Sequence, residues 1–120
     1  MKLCMVGEGA FARKHLDALA RIDGIEVAAL AGGVADVTQQ LAAERGIPHW
    51  TTDLDEGLAQ PGIEAAILAS PTPIHAAQAD QVMRAGKHVL IEIPMADSLT
   101  DAERVVQAQQ ETGLVAMVNH

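Results

Sequence analysis

The sequence predicts an α/β domain built on a doubly wound parallel sheet in the strand order 3-2-1-4-5-6. Three observations predict it. Six short apolar runs alternate with longer, Ala-rich stretches of helical spacing. The runs lack polar alternation, as strands buried on both faces do. The first run passes directly into a glycine-rich turn, Gly7-Glu8-Gly9-Ala10-Phe11-Ala12, that opens the first helical stretch. Right-handed crossovers then place helices over both faces of the sheet, which is the Rossmann arrangement.

Each element has its own signal. The first strand is Lys2–Val6. The helix after it carries Ala12, Leu16 and Leu19 at i, i+4 and i+7, with Gly24 beyond it. The second strand is Ile25–Leu30, and its helix carries Val34, Val37 and Leu41 and ends at Gly46. The third strand is Ile47–Trp50. Asp53 and Glu56 then stand at the spacing of an N-cap and the third helical residue. The fourth strand is Glu64–Ala69. Thr72-Pro73 places a capper before a first-turn proline. Ala76, Ala79, Val82 and Met83 form the buried stripe of the next helix, which ends at Gly86. The fifth strand is His88–Ile91. Ser98 with Asp101 repeats the capping spacing, Ala102, Val105 and Val106 supply the stripe, and Gly113 ends it. The sixth strand is Leu114–Val118.

The chain of 120 residues is read as one domain, 1–120, with no internal linker or repeat. At 49% hydrophobic and 20% charged residues, it has ample material for a packed core. Phe11 and Trp50 are its only aromatics, so Ala, Val, Ile and Leu must build that core. No aromatic platform exists for stacking single-stranded nucleic acid. A formal charge of −8 argues against a binder of phosphate backbones, and no nucleic acid partner is expected. Any phosphate must be held by backbone dipoles. The lone Cys4 forms no intramolecular disulfide and reads as an inert thiol within a strand. Met5, Met83, Met95 and Met117 read as core filling. No run approaches the roughly 20 apolar residues of a membrane span. These features predict a soluble, cytoplasmic protein without a membrane partner. No His, Asp or Glu pair has metal-ligand spacing on one face, so no metal is expected.

The glycine turn has the form G-x-G-x-x-A between a strand and a helix, the context in which such a motif binds a dinucleotide. Gly7 allows a tight turn, Gly9 admits a diphosphate to the backbone, and Ala12 lets helix and strand pack closely. The helix N-terminus then offers unpaired N–H groups and partial positive charge. A plain glycine turn without a ligand is the alternative. Glu8 would repel a diphosphate unless it points to solvent, and that orientation is expected. Ribose recognition belongs at the end of the second strand, where Ala31-Gly32-Gly33 stands. That segment carries neither an acid for a 2′-hydroxyl nor an Arg for a 2′-phosphate. It is open to either nucleotide, or to being an ordinary turn.

Further segments extend the pattern: Ala69-Ser70-Pro71-Thr72-Pro73-Ile74-His75, then Ala85 through Glu92-Ile93-Pro94, and finally Val118-Asn119-His120. Together with the glycine turn and Lys14-His15, they resemble the N-terminal domain of the glucose–fructose oxidoreductase, inositol dehydrogenase and MocA (Gfo/Idh/MocA) family over the whole chain. The resemblance implies a domain that binds NAD or NADP, followed by a substrate domain that lies beyond these 120 residues and carries substrate and homo-oligomer contacts. It implies hydride transfer between a hydroxyl or hemiacetal carbon and nicotinamide. By the same resemblance Gly7, Gly9, Ala10, Phe11 and Ala12 contact the pyrophosphate, and Ala31, Gly32 and Gly33 face the adenosine ribose. Ser70, Pro71, Thr72 and His75 line the central riboses. Glu92 and Pro94 lie by the nicotinamide, and Asn119 and His120 at the reacting end. A cis Ile93-Pro94 bond is also implied.

One position departs from the family pattern. The usual lysine between Glu and Pro is Ile93, which is neither acid nor base, so no catalytic residue is assigned. The segments Glu92–Ser98 and Glu111–Val115 resemble members acting in protocatechuate 4,5-cleavage, a route of aromatic catabolism, which use NADP without that lysine. Such an NADP user keeps an Arg near Gly33, and none stands here. Two other functions fit the motifs: a cofactor-binding sensor or scaffold without net catalysis, and a hydrolase or epimerase that recycles bound nicotinamide. The 120 residues alone are expected to bind cofactor weakly and to be inactive, and the face toward the second domain is expected to be apolar.

The remaining candidates have structural explanations beside functional ones. His15 reads as packing or capping more readily than as a catalytic group. His75 divides evenly between a cofactor contact and simple exposure. His88 begins a strand at the far end from the ligand edge and reads as structural, Trp50 as packing, and Glu92 as an acid in need of a partner.

Overall fold

The computed structural model describes residues 1–92 and 98–119. Ile93, Pro94 and His120, and with them the expected cis bond, lie outside the described residues. The elements run β1 (Lys2–Val6), α1 (Ala10–Leu19), β2 (Glu26–Ala31), α2 (Ala35–Arg45), β3 (His49–Thr51), α3 (Leu54–Leu58), β4 (Ile63–Leu68), α4 (His75–Arg84), β5 (His88–Glu92), α5 (Leu99–Thr112) and β6 (Ala116–Asn119). All strand pairings are parallel, in the order β3-β2-β1-β4-β5-β6. The predicted topology is therefore the observed one. Strand bounds shift by one or two residues, because the register and not the apolar run decides where pairing begins.

Two cores lie on opposite faces of the sheet, and the alternation of β1 divides them. Leu3 and Met5 join Ala12 and Leu16 of α1 and Leu41 and Ala42 of α2. Cys4 and Val6 join Leu58 of α3, Ala76, Ala79, Val82 and Met83 of α4, and Val105 and Ala108 of α5. Covering helices on both faces were expected. Among the described residues the coverage is uneven: three helices lie on the Cys4 side and two on the Leu3 side. On that second face Met117, the register partner of Leu90, is 60% exposed and so is not the core filling that its spacing predicts.

Several local readings need correction. In α2 the buried stripe is Thr38, Leu41 and Ala42, while Val34 and Val37 are exposed. Val34 is the N-cap and not a helical residue. Thr38 tolerates burial because its hydroxyl donates to the Val34 carbonyl at 2.7 Å. In α5 the stripe is Val105 and Ala108, with Val106 exposed. Thr72 does not cap α4. A single 3-10 turn over Thr72–Ile74 intervenes, entered from Pro71. Ser98 caps α5 as its spacing predicts, accepting from the Asp101 N–H at 3.1 Å. Asp53 caps α3 one residue early, at the Asp55 N–H. Gly46 and Gly113 end α2 and α5 in the left-handed conformation. Gly24, also at positive φ, lies well past the end of α1, in the turn that leads into β2. No helix among the described residues is long and apolar enough to cross a membrane.

Candidate nucleotide-binding site

The sheet reverses its winding between β1 and β4. Connections from β1 lead to one side and those from β4 to the other, so their carboxyl ends part and leave a crevice. A cleft of about 540 Å³ opens there. That volume lies in the range of small-molecule sites.

The β1–α1 turn forms its floor. Gly7 has φ +115°, and a Cβ there would stand 2.7 Å from the Ala69 carbonyl oxygen. Only glycine allows this turn to lie against the end of β4. Backbone bonds hold it on both sides: Gly7 N–H donates to the Ala31 carbonyl at 2.8 Å, and Ala69 N–H donates to the Val6 carbonyl at 2.8 Å. Gly9 is the N-cap of α1, and no side chain caps the helix. A Cβ on Gly9 would meet nothing within 4 Å. The first turn of α1 contains no acid. An open helix N-terminus with bare backbone and space in front of it suits an anion. The residues present therefore fit a dinucleotide's diphosphate.

The remaining walls come from other carboxyl-end loops. Gly7, Gly9, Ala10, Phe11, Ala31, Gly32, Gly33, Ser70, Pro71, Thr72 and His75 all line the cleft, so the structure brings most of the expected positions together. Ala12 does not line it. It is fully buried with Leu3 and Met5, where its small size lets α1 approach the sheet. Glu92 and Asn119 are register partners at the carboxyl ends of β5 and β6, on the same edge of the sheet. Pro94 lies outside the described residues.

His75 is 2% exposed, which rules out the reading of simple surface exposure. Its Nε2–H donates to the Ser70 carbonyl, and the Ser70 hydroxyl donates to Gln78 Oε1. These two bonds fix the β4–α4 loop against the first turns of α4. His15 is half-buried on α1 and does not line the cleft. His88 Nδ1 accepts from the Val115 N–H at 2.9 Å and ties the start of β5 to the residue that leads into β6, the structural role its position predicts. Trp50 lies outside the cleft lining.

Glu8 departs from expectation. It is half-buried and does not point to solvent: Oε2 accepts from the Gly33 N–H at 2.7 Å, across the mouth of the cleft. The sequence reading also missed Thr52, Leu54 and Gln78 as lining residues. Thr52 and Leu54 follow β3, and the rule that ligands gather at carboxyl strand ends would have found them. Gln78 lies one helical turn beyond His75, where i+3 spacing places it on the same face.

The comparisons match this geometry. Residues 1–120 match the profile of the family described as an oxidoreductase family with an NAD-binding Rossmann fold. The chain belongs to the Gfo/Idh/MocA family. Within the family, it is 49% identical over 120 residues to 4-carboxy-2-hydroxymuconate-6-semialdehyde dehydrogenase of Sphingobium sp. strain SYK-6, covering all of this chain and 38% of the relative. It is 33% identical over 116 residues to 1,5-anhydro-D-fructose reductase of Ensifer adhaerens, covering 97% of this chain and 35% of that protein. The crystal structure of the WlbA dehydrogenase from Bordetella pertussis, in complex with NADH and UDP-GlcNAcA, superposes with a TM-score of 0.92 at 32% identity. That match covers 99% of this chain and 34% of the other. This Gfo/Idh/MocA chain thus spans little more than a third of the length of the curated relatives it matches.

Proposed function

We propose that this chain is the nicotinamide-dinucleotide-binding unit of an oxidoreductase, and that a substrate domain beyond residue 120 completes the enzyme. The observation that carries the reading is the uncapped N-terminus of α1 behind Gly7 and Gly9, facing the crevice between β1 and β4. The first-turn N–H groups of α1 would hold the diphosphate, and Ser70, Pro71 and Thr72 would border the central part of the cofactor. Glu92 and Asn119, at the carboxyl ends of β5 and β6, would lie toward its nicotinamide end. The bound dinucleotide supplies hydride transfer; these residues bind it, orient it and set the local electrostatics. Ile93 carries no proton, so acid–base work on the substrate would fall to a group elsewhere in the complete enzyme.

The 49% identity to a hydroxymuconate-semialdehyde dehydrogenase supports a hydroxyl or hemiacetal carbon as the hydride donor, in the catabolism of aromatic compounds. Cytoplasmic location and homo-oligomer assembly through the second domain complete the proposal. Ile93 favours one rival, a module that binds cofactor without net turnover. Stoichiometric consumption of NAD or NADP by the complete enzyme decides against that rival, and binding without turnover decides for it.

Calorimetric titration of the purified protein with NADH and NADPH tests the site. At least one should bind, and Gly9→Asp should abolish the signal. The space in front of Gly9 is open, so the variant folds, but its carboxylate occupies the anion's place. Unchanged binding by a folded Gly9→Asp protein would move the site elsewhere.

A further inference from the structure

Among the described residues that line the cleft, Glu8 is the only acid, and neither Lys nor Arg is present. Its carboxylate does not extend from the turn into solvent. It reaches the loop after β2, where Oε2 accepts from Gly33 N–H at 2.7 Å and Oε1 lies 3.5 Å from where a Gly33 Cβ would stand. A Cβ on Gly32 would run into this carboxylate and into the Thr38 hydroxyl, so a bare backbone at Gly32 is what lets Glu8 lie there. The cations of the flanking helices are engaged elsewhere: Arg13 pairs with Glu44 at 3.0 Å, Arg45 pairs with Asp17, and Lys14 sits 5.7 Å from the Phe11 ring centroid.

In dinucleotide sites the carboxyl end of the second strand receives the adenosine ribose. An acid there accepts from the 2′-hydroxyl, and an Arg there accommodates a 2′-phosphate. The loop after β2 in this chain offers neither. We propose that Glu8, reaching across from the glycine turn, is the residue that reads the adenosine ribose and makes the protein select NAD(H) over NADP(H). The proposal rests on the dinucleotide reading above. The Gly33 amide orients the carboxylate. The carboxylate accepts from the ribose 2′- and 3′-hydroxyls, and its charge repels a 2′-phosphate that no Lys or Arg among the described cleft residues offsets.

Parallel titrations with NADH and NADPH, on the unaltered protein and on Glu8→Gln, test it. A hydrogen bond to a charged group corresponds to about 10- to 100-fold in affinity, so NADH should bind tighter than NADPH by about that ratio. Glu8→Gln should weaken NADH and strengthen NADPH, bringing the ratio toward one, with no loss of thermal stability. A third titration needs no variant: NAD lacking the adenosine 2′-hydroxyl should bind about ten-fold more weakly than NAD. Equal or reversed affinities in the unaltered protein, indifference to the missing hydroxyl, or an unchanged ratio in Glu8→Gln would overturn the role of Glu8 alone. Binding of neither coenzyme would overturn the dinucleotide reading, and this proposal with it.

Discussion

Gly7 and Gly9 stand two positions apart, and their surroundings assign them opposite sensitivities. Gly7 combines φ +115° with a backbone carbonyl 2.7 Å from the place a Cβ would take. Gly7→Ala should therefore cost more than about 2 kcal/mol, since left-handed strain and a clash with rigid backbone add. Urea unfolding should show the loss as a lower midpoint. Gly9 has φ −88° and open space around its Cβ position, so Gly9→Asp should leave that midpoint within about 0.5 kcal/mol while removing the bound anion. The motif was legible as a string of small residues because its spacing encodes a turn. The direction of Glu8 was not legible. A side chain's orientation depends on a donor contributed from Gly33, which no local pattern discloses.

The strands were legible at the scale of elements because their apolar runs are continuous, and the parallel order followed from alternation with helices. The phase of α2 was misread: two valines suggested a face that burial assigns to Thr38 instead, since a hydroxyl satisfied within its own helix can be buried like an apolar group. The entry to α4 was misread for a related reason. Pro73 fits a first turn, but that turn is 3-10, and the helix proper begins at His75. The cap of α5 was read correctly. Ser98→Ala should lower stability by about 1 kcal/mol through loss of the bond to the Asp101 N–H, and Ser98→Asp should retain most of it. Thermal melts of the three proteins compared side by side would check the order.

Across the whole molecule, the central strand ties two cores together, and Cys4 of β1 is buried without exposure in the core it shares with helices α3, α4 and α5. Burial pushes its thiol up to about 12 from 9.0. The folded state keeps a proton that the unfolded chain releases, so this contribution is complete below pH 9.0 and is lost as pH rises toward about 12. Between those values unfolding free energy should fall by roughly 1.4 kcal/mol per pH unit from this group. Denaturant titrations at several alkaline pH values should show a steeper decline for the unaltered protein than for Cys4→Ala. Thiol reagents should leave the folded protein unmodified near neutral pH. The sheet order was legible in the sequence, whereas the uneven coverage of its faces was not. Periodicity reports that a helix has an apolar stripe, and only the crossovers decide which face it meets.

Among the described residues, the cleft is lined by neither Lys nor Arg. Where Lys and Arg side chains neutralise phosphates, as on nucleic-acid backbones, the grip loosens as electrolyte accumulates. Here amide dipoles would meet the diphosphate at contact range, inside any ionic atmosphere, while the chain's charge of −8 opposes the ligand's approach from afar. Raising sodium chloride from about 50 to about 500 mM shortens the reach of that repulsion from roughly 14 to 4 Å. Coenzyme affinity should consequently hold steady or rise slightly with added electrolyte.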